Sequence, residues 1–228
     1  MVGMLAAMEI ELENIINQMD NVKLMFIADK KFYQGQINGT DIVIVLSGIG
    51  KVNAAITTTL MLQNFDLEQV ISVGIAGGIG AKTMDIVISN KTVQYDFDLT
   101  AFGNELGRLD ERSSPYFECD ENFVQTIQLL AQKHGNVKVG VGVTGDAFMT
   151  DGNKANELQE KFGALYCDME SAAIAQVCEK FDKKFISIRT ISDEVGQSNI
   201  SDYENFKKSA AKLVSHIIKE YCVEMSKN

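Results

Sequence analysis

Residues 164–173 read Ala164-Leu165-Tyr166-Cys167-Asp168-Met169-Glu170-Ser171-Ala172-Ala173, and the period of the sequence changes inside them. The first four residues form a short run suited to a buried strand. From Ser171 onward Ile174, Val177 and Cys178 recur at helical spacing, with small Ala172, Ala173 and Ala175 between them. Asp168 and Glu170 therefore fall where a strand ends and a helix begins, the place where open α/β sheets bind ligands. Alternation along an extended strand end aims the two side chains the same way. Such paired acceptors suit a sugar with two neighbouring hydroxyls. The competing reading is that Glu170 only complements the helix N-terminus. Both stand open at this point.

Working outward, the same strand-then-helix grammar recurs along the chain. Residues 2–7 form an apolar run, followed by a helix with Leu12, Ile15, Ile16 and Met19 on its inner stripe. Glu9, Glu11 and Glu13 crowd its first turn, where acids usually meet the helix dipole. Residues 23–28 and 31–37 read as strands, and Asn38-Gly39 is a hairpin signal leading into 41–46. Ser47-Gly48-Ile49-Gly50-Lys51 then opens a helix through Ala54, Ala55, Thr58, Leu62 and Phe65; its spacing fits neither a P-loop nor a dinucleotide fingerprint. Residues 70–73 form a strand, and Gly74 to Gly80 read as a glycine-rich turn whose amides could line a pocket, before a strand at 82–88. Residues 94–102 mix aromatics with acids. A helix over 122–133, strands over 137–143 and 184–191, and an amphipathic helix marked by Tyr203, Phe206, Ala210, Leu213, Val214 and Ile217 complete the chain. No repeat or linker interrupts it. The expectation is a single three-layer α/β domain over residues 1–228, with a central mixed, largely parallel sheet flanked by helices.

The 228 residues are 46% hydrophobic with a single proline, enough for a sizeable core. A formal charge of −10 repels a phosphate backbone, so no nucleic-acid partner is expected. Cys119, Cys167, Cys178 and Cys222 show no CxxC pair and no metal spacing. Neither a signal peptide nor a membrane-spanning run is read, and a reduced, cytoplasmic protein is expected.

Six strand ends share one description: 8–11, 47–51, 74–80, 146–149, 168–170 and 192–193. If the sheet is parallel there, they converge on one pocket holding Glu11, Glu170, Asp193, Arg189 and Phe148. Phe148, beside small residues at a strand end, could stack on a flat ring. His134 and His216 lie on or beside helices away from these tips, which leaves a metal centre or a Ser-His-Asp arrangement poorly supported. Carboxylate chemistry remains: one acid, one base for water and one acceptor for hydroxyls.

Seven motifs in register carry a resemblance: Ala7-Met8-Glu9-x-Glu11, Ser47-Gly48-Ile49-Gly50-Lys51-Val52, Gly74-x-Ala76-Gly77-Gly78, Thr100-Ala101-Phe102-Gly103, Gly145-Asp146-Ala147-Phe148, Asp168-Met169-Glu170 and Ile191-Ser192-Asp193. Over nearly the whole chain the sequence resembles the bacterial 5'-methylthioadenosine/S-adenosylhomocysteine nucleosidases, within the purine nucleoside phosphorylase superfamily. The resemblance implies a nucleoside phosphorylase-like fold, hydrolysis of the bond between adenine and a 5'-thio-substituted ribose, and a homodimer without a cofactor. It also implies roles. Glu11 would orient and deprotonate water; Asp193, supported by Ser192, would protonate adenine N7. Glu170 would hold the ribose hydroxyls above Met169, and Phe148 would stack on adenine, whose edge meets the Met149 backbone. Arg189 would sit near the water, while Met8, Ile49, Ala76, Gly77 and, from a partner subunit, Phe102 would line the pocket. Tyr95, Phe97 and Phe102 are expected at the two-fold interface.

The chain departs from the family pattern at Ile75, where Ser is usual, at Asp168, where Glu is common, and at Tyr95, where His is common. The alternatives are an aminodeoxyfutalosine or other adenosine nucleosidase, a purine nucleoside phosphorylase, and a non-catalytic nucleoside-binding protein. A phosphorylase must hold a dianion, yet the chain has three arginines, and only Arg189 falls near the pocket. Lys51 and the Gly74 to Gly80 amides are the other possible anion donors.

Overall fold

The N-terminal apolar run forms β1 (Val2–Ala6), buried at all five positions. It pairs in parallel with β4 (Thr40–Leu46) on one side and β5 (Gln69–Gly78) on the other. A strand covered on both faces needs no polar alternation, which is why its sequence shows none. The computed structural model describes residues 1–109, 112–196 and 200–227, and only the backbone of 200–202. Beyond β4 the sheet is antiparallel through β3 (Lys30–Ile37) to the edge strand β2 (Asp20–Ile27). The turn between β3 and β4 is Asn38-Gly39, both at positive φ, as a two-residue hairpin of this hand requires.

On the other side of β5 the sheet closes on itself. β5 pairs with β10 (Lys184–Glu194), β10 with β6 (Ile86–Gln94), β6 with β8 (Val137–Thr144), β8 with β9 (Ala164–Asp168), and β9 returns to β5. The short β7 (Tyr116–Glu118) adds to β6. The mixed, helix-flanked sheet matches the expectation. Its closure is an addition, carried by two antiparallel seams, β6–β10 and β5–β9, that alternation along the chain does not disclose.

Helices α1 (Glu9–Ile16), α3 (Glu121–Ala131) and α6 (Ile200–Met225) cover one face, with Leu12, Ile15, Phe123, Ile127, Val214, Ile217 and Tyr221 in a shared core. α2 (Lys51–Asn64) and α5 (Ser171–Lys180) cover the other through Ala54, Met61, Ala172, Ile174 and Cys178. α4 (Gly152–Phe162) packs Ala155, Leu158 and Phe162 on the β8–β9 edge of the ring. No helix among the described residues is long and apolar enough to cross a membrane.

Two expectations are corrected. The stretch read as a glycine-rich turn is strand as far as Gly78, paired on both sides with β9 and β10. The amides of Ile79, Gly80 and Ala81 all donate to the Leu165 carbonyl, so no open cradle of amides is left there. Tyr95 does not face outward. It is 8% exposed within its own chain, in the cluster with Val93, Val143 and Phe162.

Candidate active site

The C-terminal ends of β1, β5, β8, β9 and β10 open into one cleft, walled on one side by the loop after β4. Glu11 enters it from the first turn of α1. Of the three acids there, Glu9 and Glu13 are exposed and Glu11 is buried. Its Oε2 accepts the amides of Ala7 and Met8, each at 3.0 Å, and its Oε1 accepts that of Ile75 at 2.9 Å. Burial nevertheless pushes its pKa up, against the three amides and the nearby Arg189. A base held in fixed orientation with a raised pKa suits proton abstraction from water.

Glu170 ends the β9 crossover. It occupies the residue before α5 without capping that helix, so the purely helical reading fails. Its Oε1 instead accepts the Gly50 amide, 2.8 Å away at the start of α2, and it is 7% exposed. Burial first, then the Asp168 charge, raise its pKa to about 7, opposed by the Gly50 amide and Arg189.

Asp168 and Glu170 both border the cleft, yet they are not a matched pair. Asp168 accepts from Thr144 Oγ1 at 2.6 Å, from Arg189 Nε at 3.0 Å, and from the amide and hydroxyl of Ser171. Asp168 is an anchor for Arg189, whereas the Glu170 carboxyl accepts the Gly50 amide. Arg189, 2% exposed, places all five N–H groups on protein acceptors: Nε on Asp168, Nη1 on the Ser72 and Ile188 carbonyls, and Nη2 on the Ser72 and Ser171 hydroxyls. It acts on the cleft by its field.

Asp193 lies where the β10–β5 register slips between Ile191 and Asp193. Such a bulge re-aims side chains at a strand end. Ser192 Oγ donates to Asp193 Oδ1 at 2.7 Å and lies 3.2 Å from the Ala76 carbonyl, fixing the carboxyl at the cleft floor. Met8, Ile49, Ala76, Gly77, Phe148, Met149 and Met169 complete the lining as expected. Phe148 is 54% exposed and stands edge-on to Tyr203 at 5.7 Å between centroids, leaving a ring face open. Phe102 does not line the cleft of its own chain and is 81% exposed.

Sequence reasoning missed Tyr203. It was read as part of the apolar stripe of α6, whereas its hydroxyl reaches Met8 Sδ at 3.3 Å and its ring closes the cleft. The hydroxyl at a helix start was the available signal. Lys51, at the start of α2, pairs with Asp96 at 2.6 Å.

With this geometry, the likeness to known proteins is specific. The phosphorylase superfamily model matches residues 1–222. A 5'-methylthioadenosine/S-adenosylhomocysteine nucleosidase of Psychromonas ingrahamii is 38% identical over 224 residues, 96% of each chain. The nucleosidase of that name from Neisseria meningitidis, solved with methylthio-immucillin-A, superposes with a TM-score of 0.92 at 33% identity over 98% of each chain. The futalosine hydrolase of Helicobacter pylori superposes with a TM-score of 0.91 at 29% identity, covering 98% of this chain and 97% of that one. The chain belongs to the phosphorylase superfamily and, within it, to the 5'-methylthioadenosine/S-adenosylhomocysteine nucleosidases.

Proposed function

We infer that this protein hydrolyses the N-glycosidic bond of 5'-methylthioadenosine and S-adenosylhomocysteine, releasing adenine and the 5'-thioribose. Phe148 stacks on adenine, the Met149 backbone meets its edge, and Asp193 donates a proton to N7 as the C1'–N9 bond breaks. The bond's electron pair leaves with the base, which departs neutral. Glu170 holds the ribose hydroxyls above Met169, with Ala76 and Gly77 behind the sugar. Glu11 takes a proton from the water whose oxygen bonds to C1'. Three carboxylates from three elements around one cleft support this division of labour.

The observation that supports hydrolysis over phosphorolysis is that the anion donors singled out in the sequence are engaged elsewhere. Arg189 has no N–H left for a phosphate, Lys51 is paired with Asp96, and the Ile79 to Ala81 amides serve Leu165. Glu11 and Glu170 would also repel a dianion at short range. Incubation with a panel of nucleosides, with and without phosphate, tests this. Free ribosyl product at a phosphate-independent rate is expected, and ribose 1-phosphate scaling with phosphate would overturn the hydrolase reading. The similarity to a futalosine hydrolase favours one further substrate class, so the panel includes futalosine-type nucleosides.

The working form is a homodimer. Ile49 (53% exposed), Val52 (69%), Ile56 (51%) and Phe102 (81%) are apolar and uncovered in the single chain, and the Lys51–Asp96 pair ties the start of α2 to the segment leading to Phe102. Phe102 then supplies the partner's cleft with an apolar wall for the 5'-substituent. The four thiols are unpaired, which supports action in the reducing cytoplasm.

A further inference from the structure

Inside the closed ring of strands lies a line of hydroxyls that the hydrolytic reading does not use. Tyr166, fully buried, points into the ring among Ala76, Ala81, Val87 and Ile191, in space that exists because position 142 is glycine: a Cβ there would overlap the phenol. Its oxygen lies 2.7 Å from Ser89 Oγ and 2.9 Å from Ser187 Oγ. Ser187 Oγ lies 2.8 Å from Ser171 Oγ, which bonds to Asp168 Oδ2 and accepts from Arg189 Nη2 at 2.8 Å.

The proton order follows by elimination. Arg189 only donates and the Asp168 carboxylate only accepts, so the single Ser171 proton goes to Asp168. Ser171 can then only accept from Ser187, Ser187 from Tyr166, and Tyr166 from Ser89. Burial keeps the phenol protonated, its pKa pushed up to about 12, so it stays a donor. Hydrogen bonds aligned head to tail polarise one another.

We propose that Ser89, Tyr166, Ser187 and Ser171 form a one-way donor chain that holds the Asp168–Arg189 pair in place behind Glu170, making Tyr166 a positioning residue for the hydrolysis. The inference rests on Glu170 as the ribose acceptor. Glu170 faces Asp168 and Cys167 from β9, Arg189 and Asp193 from β10, Glu11 from α1 and the Gly50 amide at the start of α2. Of these, Asp168 is the charge that most disfavours an ionised Glu170. Weakening the donors on Asp168 leaves its charge less compensated, so Glu170 ionises at higher pH.

The test compares Ser171→Ala, Ser187→Ala, Tyr166→Phe and Ser89→Ala with the wild-type chain. Two readouts are followed: the acid limb of kcat/KM for adenine release and the side-chain Nε–H resonance of Arg189. With only three arginines in the chain, that resonance is readily assigned. The acid limb is expected to move upward in all four, most for Ser171→Ala and least for Ser89→Ala. Tyr166→Phe should lose roughly three- to tenfold at pH 6, the worth of one modest hydrogen bond, and approach wild-type activity at pH 9. The Arg189 resonance should shift in the same order. If Tyr166→Phe and Ser187→Ala leave both the limb and the resonance unchanged while lowering the melting temperature, the hydroxyls only fill the ring and the proposal falls. Should wild-type protein release no adenine from any nucleoside, the nucleosidase reading fails, and the Arg189 resonance alone decides the chain.

Discussion

Glu170 carries a conflict between stability and function within a single side chain. Its folded-state pKa of about 7 exceeds the ordinary 4.5, so the folded protein binds its proton more tightly than the unfolded chain. Its contribution is favourable at low pH and is lost as pH rises through about 7. Glu170→Gln should therefore melt several degrees above wild type at pH 8 and level with it only below the ordinary 4.5, with about 1 kcal/mol corresponding to about 2–4 °C in a chain of this size. The same variant should bind nucleoside poorly, because an amide is a weaker acceptor for paired hydroxyls. Equal melting curves at pH 8 would contradict the assignment. Glu11 and Asp193 differ, since the role proposed for each is proton transfer. Glu11→Gln and Asp193→Asn should each lower kcat by on the order of 10²–10⁴ while leaving nucleoside affinity near wild type by calorimetry; near-native turnover in either removes its role. Glu11, Glu170 and Asp193 were legible as residues because an acid at a strand end has few structural reasons to be there. The pairing of Asp168 with Glu170 stayed open in the sequence for a physical reason: sequence gives its direction, but not that Arg189, 21 residues away, pairs with it.

Glycine explains why one element was misread and another can be broken at will. Gly74 sits mid-strand in β5, where the sequence suggests a turn, because the carboxylate of Glu11 lies against the strand. A Cβ at that position would come within 2.6 Å of Glu11 Oε1. Close approach by another group is a recognised reason for glycine inside a strand. Gly74→Ala should preserve the fold while pushing Glu11 off the Ile75 amide, lowering kcat by roughly tenfold or more, since small displacements of a positioned group are costly. Unchanged kcat would mean that Glu11 has slack at this contact. The other elements were legible from period and caps, as with the apolar run of β1 or the Asn38-Gly39 hairpin. What escaped was non-local. Ring closure depends on the β5–β9 and β6–β10 seams between distant segments, and the burial of Tyr95 depends on space left by Gly145 on another strand end. Tyr203 escaped similarly, since an amphipathic stripe tells that a ring faces inward but not that a cleft lies there.

At the scale of the whole molecule, a single chain presents an apolar surface that solvent should not retain. Val52 and Ile56 are one helical turn apart on α2, with Ile49 just before it, and all three are more than half exposed. Large uncovered patches of this kind mark association surfaces. A two-fold arrangement would bury each of these residues twice, so one substitution acts on both halves of the interface. Ile56→Asp places a carboxylate in that contact twice, each copy costing several kcal/mol if it stays ionised without a partner. The variant should sediment as a monomer at micromolar concentration, where the wild-type chain should sediment as a dimer. Its circular dichroism should be unchanged, because Ile56 takes no part in the buried cores. Activity separates assembly from catalysis. A monomer keeps Glu11, Glu170 and Asp193 but loses the partner's Phe102, so KM for a 5'-methylthio nucleoside should rise more than kcat falls. Phe102→Ala should reproduce the rise in KM while the chain remains dimeric. A fully active monomer, or a Phe102→Ala dimer with wild-type KM, would show that each cleft is complete in one chain.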